Sequence, residues 1–418
     1  MRILNAESIV VHLFTERMKK NFSRRQFLTT GMLGLSGIAI ANISPTSFFS
    51  VADTIKIGLI GVGQRGLGLA NVIKATPGLK LTACCDIIAE NLNAGMKLCE
   101  PGSKSYNDYR KLLSDKNIDA VVIATPLYLH YQMAIDAISA NKHVYLEKTM
   151  TYNIEQALLL NKILKKYPKL VFQVGHQYRY YDMYPKIKTY IANGLIGKVT
   201  HFESQYNRNA DWRRVVPSGH TEKAINWRLY KEYSGGVLAE LSAHQIDVVN
   251  WLTDSHPEKV IAMGDVNFWK DGRTTFDNVR AIYDYPGGIK SSVTSILSNQ
   301  YNSYMMRILG SEGTIELGRD YAKLYLEPKK KELAIVDGVT GATKEALEKG
   351  EGIKIYTDHE GVEPTAFSLK AFEDCIRNRK KAFSNEKTGK DVAIAVHLAN
   401  KATESGVTEY WKPEYSTV

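Results

Sequence analysis

Cysteine is scarce in this chain of 418 residues: Cys84, Cys85, Cys99 and Cys375 are the whole set. Four, unevenly spaced, are too few for a disulfide framework or a cysteine-rich zinc site, and no metal centre is expected. Cys84 and Cys85 are neighbours in a predicted strand, so they point to opposite faces. Long apolar runs are lacking too. Gly31 to Ile43 is apolar but too short to span a bilayer comfortably, so no stable membrane anchor is expected. There is no internal repeat and no low-complexity stretch. Positive charge is in excess, with a formal net charge of +10, but it is not concentrated. Part lies at Arg17, Lys19, Lys20, Arg24 and Arg25, and the rest in short runs such as Lys329 to Lys331 and Arg379 to Lys381. A nucleic-acid reader would gather Lys and Arg on one face with interleaved aromatics, so no nucleic-acid partner is expected. What remains is an ordinary globular composition, 44% hydrophobic and 23% charged, long enough for two or three domains.

Residues 1–52 read as a leader. Ser23-Arg24-Arg25-Gln26-Phe27-Leu28 precedes the apolar run and resembles a twin-arginine export signature. Ser50-Val51-Ala52 places small residues where a signal peptidase cuts, after Ala52. Met18-Lys19-Lys20 looks like the natural start of such a leader. The location this predicts is the periplasm, reached by a chain that folds before it crosses the membrane.

Residues 53–175 predict a doubly wound parallel sheet, a Rossmann domain. The stretch TIKIGLIGVG is a buried strand running into a glycine turn. Gly61-Val62-Gly63-Gln64-Arg65-Gly66 fits G-x-G-x-x-G, with glycines for the tight turn, for approach of a pyrophosphate and for close helix packing. The helix that follows, opened by Gln64 and Arg65, offers free N–H groups and a positive dipole end to the phosphates. Asp86 ends the second strand about 20 residues beyond Gly66, where an acid holds the adenosine ribose hydroxyls. An aspartate there favours NAD(H); the neighbouring Arg65 keeps NADP(H) open. Strands alternate with helices from Asp119 through Val174, and ligands sit beyond the carboxyl ends of such strands. Thr125, Pro126 and His130 follow one strand end, and Glu147 and Lys148 another.

GVGQRG, CCD, ATPLYLH, HVYLEK and GGVLAELSAHQID, taken together, resemble the Gfo/Idh/MocA family of sugar oxidoreductases over essentially the whole chain after the leader. Glu147-Lys148 matches the family's E-K-P element, with Thr149 in the place of proline. Gly235 to Asp247 matches its G-G-x-x-x-D-x-x-x-H-x-x-D helix, with Glu240 in the place of aspartate. The resemblance implies a sugar or polyol substrate and Lys148, His244 and Glu240 as the catalytic group; the leader adds that NAD(H) goes out tightly held. On a helix Glu240 and His244, and His244 and Asp247, share adjoining faces. Histidine suits removal of a hydroxyl proton near neutrality, with a neighbouring carboxylate to orient it, and Lys148 supplies positive charge where an alkoxide develops.

Residues 176–418 form the second domain, predicted as α+β with an open, mostly antiparallel sheet. Six strand-like segments over 255–330 read as an antiparallel meander, with a hairpin turn at Pro286-Gly287-Gly288. Two helices, Glu363 to Arg377 and Lys390 to Ser405, return to the first domain. The resemblance implies that the sheet serves a homo-oligomer contact. It also places substrate or nicotinamide contacts at His176 and Arg179. The long polar loop 207–234 reads as a binding loop, where Trp212 and Trp227 offer ring faces to a sugar and Arg228 a cation. Asp247 belongs to the same set. Exported with its cofactor, such an enzyme returns the hydride to a second carbonyl, or to the same substrate in a redox-neutral glycoside hydrolysis without the usual carboxylate pair. A non-catalytic nucleotide- and sugar-binding protein is the remaining class.

Overall fold

The computed structural model describes residues 54–327, 351–358, 361 and 363–417. Residues 1–52, read above as a leader, and Lys329 to Lys331 lie outside the described residues. In the first domain β1 (Ile55–Ile60) is buried at every position but Lys56, the pattern of a strand covered on both faces. It pairs in parallel with β2 (Leu79–Cys85) on one side and β4 (Ala120–Ile123) on the other. With β3 (Lys104–Tyr106), β5 (His143–Leu146) and β6 (Phe172–Val174) the sheet runs β3-β2-β1-β4-β5-β6. This is the dinucleotide-binding order, and the direction of winding reverses between β1 and β4. Helices α1 (Gln64–Ala75), α2 (Ala89–Met96), α3 (Tyr109–Ser114), α4 (His130–Ser139) and α5 (Ile154–Leu164) supply the crossovers. Cys84 and Cys85 fall in separate apolar clusters, one on each face of the sheet.

The second domain is a nine-stranded sheet ordered β14-β13-β12-β11-β7-β10-β9-β8-β15. Its strands are β7 (Val199–Tyr206), β8 (Lys259–Asp265), β9 (Asn278–Tyr285), β10 (Ile289–Ile296), β11 (Tyr304–Gly310), β12 (Gly313–Leu317), β13 (Tyr321–Leu326), β14 (Ile353–Thr357) and β15 (Glu409–Tyr410). The expected meander over 255–330 is therefore interrupted. β7, from earlier in the chain, inserts between β10 and β11 and runs parallel to β10. The β9–β10 hairpin turns at Pro286-Gly287-Gly288, where Gly287 (φ 77°) and Gly288 (φ 82°) take the left-handed region that side chains disfavour.

The longer helices that follow are α6 (Met183–Ala192), α7 (Ala243–Leu252), α8 (Pro364–Asn378) and α9 (Glu386–Ser405). α9 packs on β8 of the second sheet and on α5 and β6 of the first domain, so it ties the two domains together. Immediately before α7, Leu238–Ser242 is one π-helical turn. The Glu240–His244 stretch is thus not a continuous α-helix as its spacing suggested. Such a π-turn widens the helix locally and changes where a side chain leaves it. Among the described residues no helix is long and apolar enough to cross a membrane.

Candidate active site at the domain junction

The glycine turn fits a dinucleotide. Gly61 has φ 86°, and a Cβ there would lie 2.8 Å from the Ala124 backbone. At Gly66 a Cβ would lie 2.0 Å from the Gly61 carbonyl oxygen, so only glycine lets α1 sit this close to the turn. At Gly63, by contrast, a Cβ would meet nothing within 4 Å. That space, in front of an α1 N-terminus with no side-chain cap and no acid in its first turn, is where a pyrophosphate fits. Asp86 accepts from the Val62 amide (2.7 Å) and the Ile88 amide (2.8 Å), so it braces the turn from the end of β2 and caps the segment leading into α2. Each carboxylate oxygen retains a lone pair for a ribose hydroxyl. Arg65 Nε donates to Glu147 Oε1 (2.8 Å) and its Nη2 to Thr365 Oγ1 (3.2 Å), so this guanidinium is engaged at the end of β5.

Beside the turn lies a cleft of about 230 Å³. Arg65, Thr125, His130, Glu147, Lys148, Trp227, Arg228, Glu240 and His244 all line it. Lys148 Nζ donates to the carbonyls of Glu240 (2.9 Å) and Ala239 (3.3 Å), and its third proton is left for a ligand. The Lys148–Thr149 peptide is cis, and the Thr149 hydroxyl donates to Ala239 O (3.1 Å), a bond proline could not make. His130 sits between the carbonyls of Thr149 (2.9 Å) and Thr125 (3.0 Å), clamping the β4 and β5 ends to α4. Pro126 follows Thr125 as the residue before a single 3-10 turn. Gln64 accepts from Arg214 Nη2 at 3.1 Å, which brings loop 207–234 over the start of α1.

The carboxylates are arranged differently from the sequence-based expectation. Arg228 Nε holds Glu240 Oε2 at 2.7 Å, and Arg228 lies 4.3 Å above the Trp227 ring. Burial would raise the Glu240 pKa, but Arg228 and Lys148 outweigh it and the group stays below the usual carboxylate range. Asp247 is 1% exposed and takes Arg179 Nε on both oxygens at 2.9 Å. His176 lies 3.6 Å from Asp247 and bonds to Ser384 Oγ at 3.0 Å. Arg179, Asp247 and His176 thus form a buried cluster apart from the residues lining the cleft. Among the described residues no carboxylate bonds to His244. Its Nδ1 is buried without a partner, and its ring lies 5.0 Å from that of Tyr178. Burial, followed by the charges of Lys148 and His176, holds its pKa well below the ordinary histidine value. Trp212, with φ 63°, packs against the core. Gln177, which sequence reasoning passed over beside His176, lines the cleft with a buried, unpartnered Oε1. Among the described residues no cluster of His, Cys, Asp or Glu could hold a metal. A larger groove of about 560 Å³ lies between α5 and α9, away from these side chains.

Residues 55–176 match the family model "Oxidoreductase family, NAD-binding Rossmann fold", and residues 184–316 match "GFO/IDH/MocA C-terminal domain". Together these spans cover more than half of the chain. The protein belongs to the Gfo/Idh/MocA family. As in that family, its first domain is an NAD-binding Rossmann domain. Inositol 2-dehydrogenase of Salmonella typhimurium is 29% identical over 201 residues, 48% of this chain and 54% of that protein. In these sequence matches the chain spans about half the length of the Salmonella inositol 2-dehydrogenase. A Glycosyl hydrolase family 109 protein of Saccharopolyspora erythraea is 24% identical over 363 residues, 75% of this chain and 77% of that protein. Scyllo-inositol dehydrogenase of Lactobacillus casei, solved with NAD(H) and scyllo-inositol, has the same fold. It superposes with a TM-score of 0.65 at 22% identity, over 86% of this chain and 99% of that one.

Proposed function

We propose that this Gfo/Idh/MocA protein oxidises a hydroxyl of a sugar or polyol with NAD⁺. The observation that carries the reading is that Lys148, His244 and His130 line one cleft beside an uncapped glycine turn. Bound there, NAD⁺ supplies the hydride acceptor. Lys148, pinned by two main-chain carbonyls, aims its remaining N–H at the substrate oxygen and stabilises it as charge develops. His244, held neutral, takes the hydroxyl proton. Glu147 and Arg65 form the polar floor of the cleft, and Trp227 and Arg228 the wall next to Glu240. The inositol dehydrogenase relatives support the substrate class.

The alignment with the glycosyl hydrolase supports a second reading on the same residues. There the hydroxyl is oxidised only transiently and the glycosidic bond is broken with no net redox change. We further propose, from the leader, a periplasmic enzyme that leaves the cytoplasm with its cofactor held. The outer face of β8–β9 supports self-association through the sheet, because Ile261, Met263 and Ile282 are exposed there.

The test begins with protein purified without added nucleotide, denatured and weighed by mass spectrometry. About one NAD(H) per chain supports a held cofactor. Adding polyols then distinguishes the two chemistries: NADH absorbance marks a dehydrogenase, and aglycone release without NADH marks the hydrolase. A protein that neither carries nor takes up NAD overturns both.

A further inference from the structure

We infer that the substrate carries an acidic group, a carboxylate or a phosphate ester, held by Arg208 and Arg319. This rests on the sugar-oxidoreductase reading and names its substrate class. Tyr206, at the end of β7, is 8% exposed, and its hydroxyl accepts from Arg319 Nη2 at 2.9 Å and Arg208 Nη2 at 3.0 Å. Both guanidiniums also lie against the Tyr206 ring, 4.8 and 5.7 Å from its centroid. The other side-chain bond of the pair is Arg208 Nη1 to Ser303 Oγ at 3.3 Å. Among the described residues neither arginine pairs with a carboxylate. Three other arginines near the site do: Arg65 with Glu147, Arg179 with Asp247 and Arg228 with Glu240.

Two cations sharing one neutral oxygen repel each other, and that oxygen satisfies only one N–H of each five-donor fork. The Tyr206 hydroxyl proton remains as a further donor. Guanidinium forks match the paired oxygens of a carboxylate or phosphate, so an anion between them supplies the missing acceptors. A run of packed aromatic rings joins this pair to the proposed base. The Tyr206 ring meets Tyr304 at 5.3 Å, Tyr304 meets Tyr178 at 5.4 Å, and Tyr178 meets His244 at 5.0 Å. Arg319 also contributes to the positive field at His244. The acid would thus anchor one end of the sugar while a hydroxyl elsewhere on the ring faces Lys148 and His244.

The experiment measures binding by calorimetry to the NAD-loaded protein, with D-glucose, D-glucuronate and D-glucose 6-phosphate as probes. At least one acid is expected to bind tenfold or more tightly than glucose. The double variant Arg208→Gln/Arg319→Gln should remove that advantage, and Arg208→Lys should keep part of it. Glucuronate against phosphate ester tells which acid is read. Equal binding of acids and glucose, no binding of either acid, or an advantage that survives in the double variant overturns the inference. Arginine-dependent binding of an acid with no hydride transfer from any sugar or polyol would uphold this site and overturn the oxidoreductase reading instead.

Discussion

Lys148 Nζ lies 2.9 Å from the main-chain carbonyl of Glu240, whereas the Glu240 carboxylate is held by Arg228. The lysine is therefore positioned by backbone, and the π-turn over Leu238–Ser242 sets the direction of those carbonyls. Substitution should separate the two roles. Lys148→Ala removes the cation at the developing alkoxide and is expected to lower kcat roughly 10²- to 10³-fold. NAD binding should be nearly unchanged. Glu240→Gln keeps the carbonyl and an acceptor for Arg228, so its loss in kcat should stay below about tenfold. Steady-state kinetics with a separate NAD titration checks both, and equal losses would overturn the backbone role.

His244 has its pKa depressed chiefly by burial, with Lys148 and His176 adding to it. The base form therefore persists below the ordinary histidine range. The kcat/KM profile should stay flat as pH falls through about 6.5, the unperturbed histidine value, and decline only below it. A bend at 6.5 that vanishes in His244→Ala would show an ordinary imidazole and count against the buried geometry.

His397 on α9 donates through Nε2 to the Thr151 carbonyl at 2.8 Å, and burial lowers its pKa to about 4. The sign follows from which state binds protons. The unfolded chain protonates its histidine near 6.5 and the folded one near 4, so stability is full above 6.5 and is lost as pH falls between those values. The shift corresponds to roughly 3 kcal/mol. Chemical denaturation at pH 7.5 and pH 4.5 should show the loss, and His397→Gln should lose less stability over the same range.

Much of the first domain was legible in the sequence because a doubly covered parallel strand is apolar at nearly every position. β5 is observed at His143–Leu146, as read. β9 was equally legible at Asn278–Tyr285, where burial alternates. The place of β7 was not. Its neighbours β10 and β11 lie far along the chain, and nothing local encodes that pairing. In the site, the glycine turn was legible from its local pattern, and the motif resemblance named Lys148 and His244, which the fold brings to one cleft. The partners of Asp247 and Glu240 were not. Helical spacing suggested that both faced His244, but Arg179 and Arg228 arrive from other elements and take them. Gln177 had no signal beyond its place next to His176.

Gly63 and Gly66 should fail in different ways. Gly66→Ala sets a Cβ 2.0 Å from the Gly61 carbonyl oxygen, so α1 must move and the domain should lose several degrees of Tm or fail to fold. Gly63→Ala meets no protein atom within 4 Å, and its backbone at φ −67° tolerates a side chain. Its Tm should be close to the parent's while NAD binding weakens at least tenfold, because the methyl group occupies the pyrophosphate space. Thermal melts with and without NAD read both outcomes. A Gly63→Ala protein with parental NAD affinity would move the pyrophosphate elsewhere.

Arg214 links the second domain to the cofactor end of the first. Its Nη2 meets Gln64 Oε1 at 3.1 Å at the first residue of α1. Asn226 fixes the loop there, accepting from the Arg214 amide at 2.7 Å and donating to its carbonyl at 3.0 Å. Among the described residues Arg214 pairs with no carboxylate, and burial together with Arg228 disfavours its charge. A pyrophosphate in front of Gly63 would supply the counter-charge, and the loop would then act as a strap over the bound dinucleotide. Arg214→Gln should therefore speed NAD release, by about tenfold or more, while leaving Tm without nucleotide unchanged. Stopped-flow displacement of NADH fluorescence measures the release rate directly. An unchanged rate would leave cofactor retention to the glycine turn and Asp86, and Asp86→Ala, which frees the Val62 and Ile88 amides, would then be the variant that empties the protein.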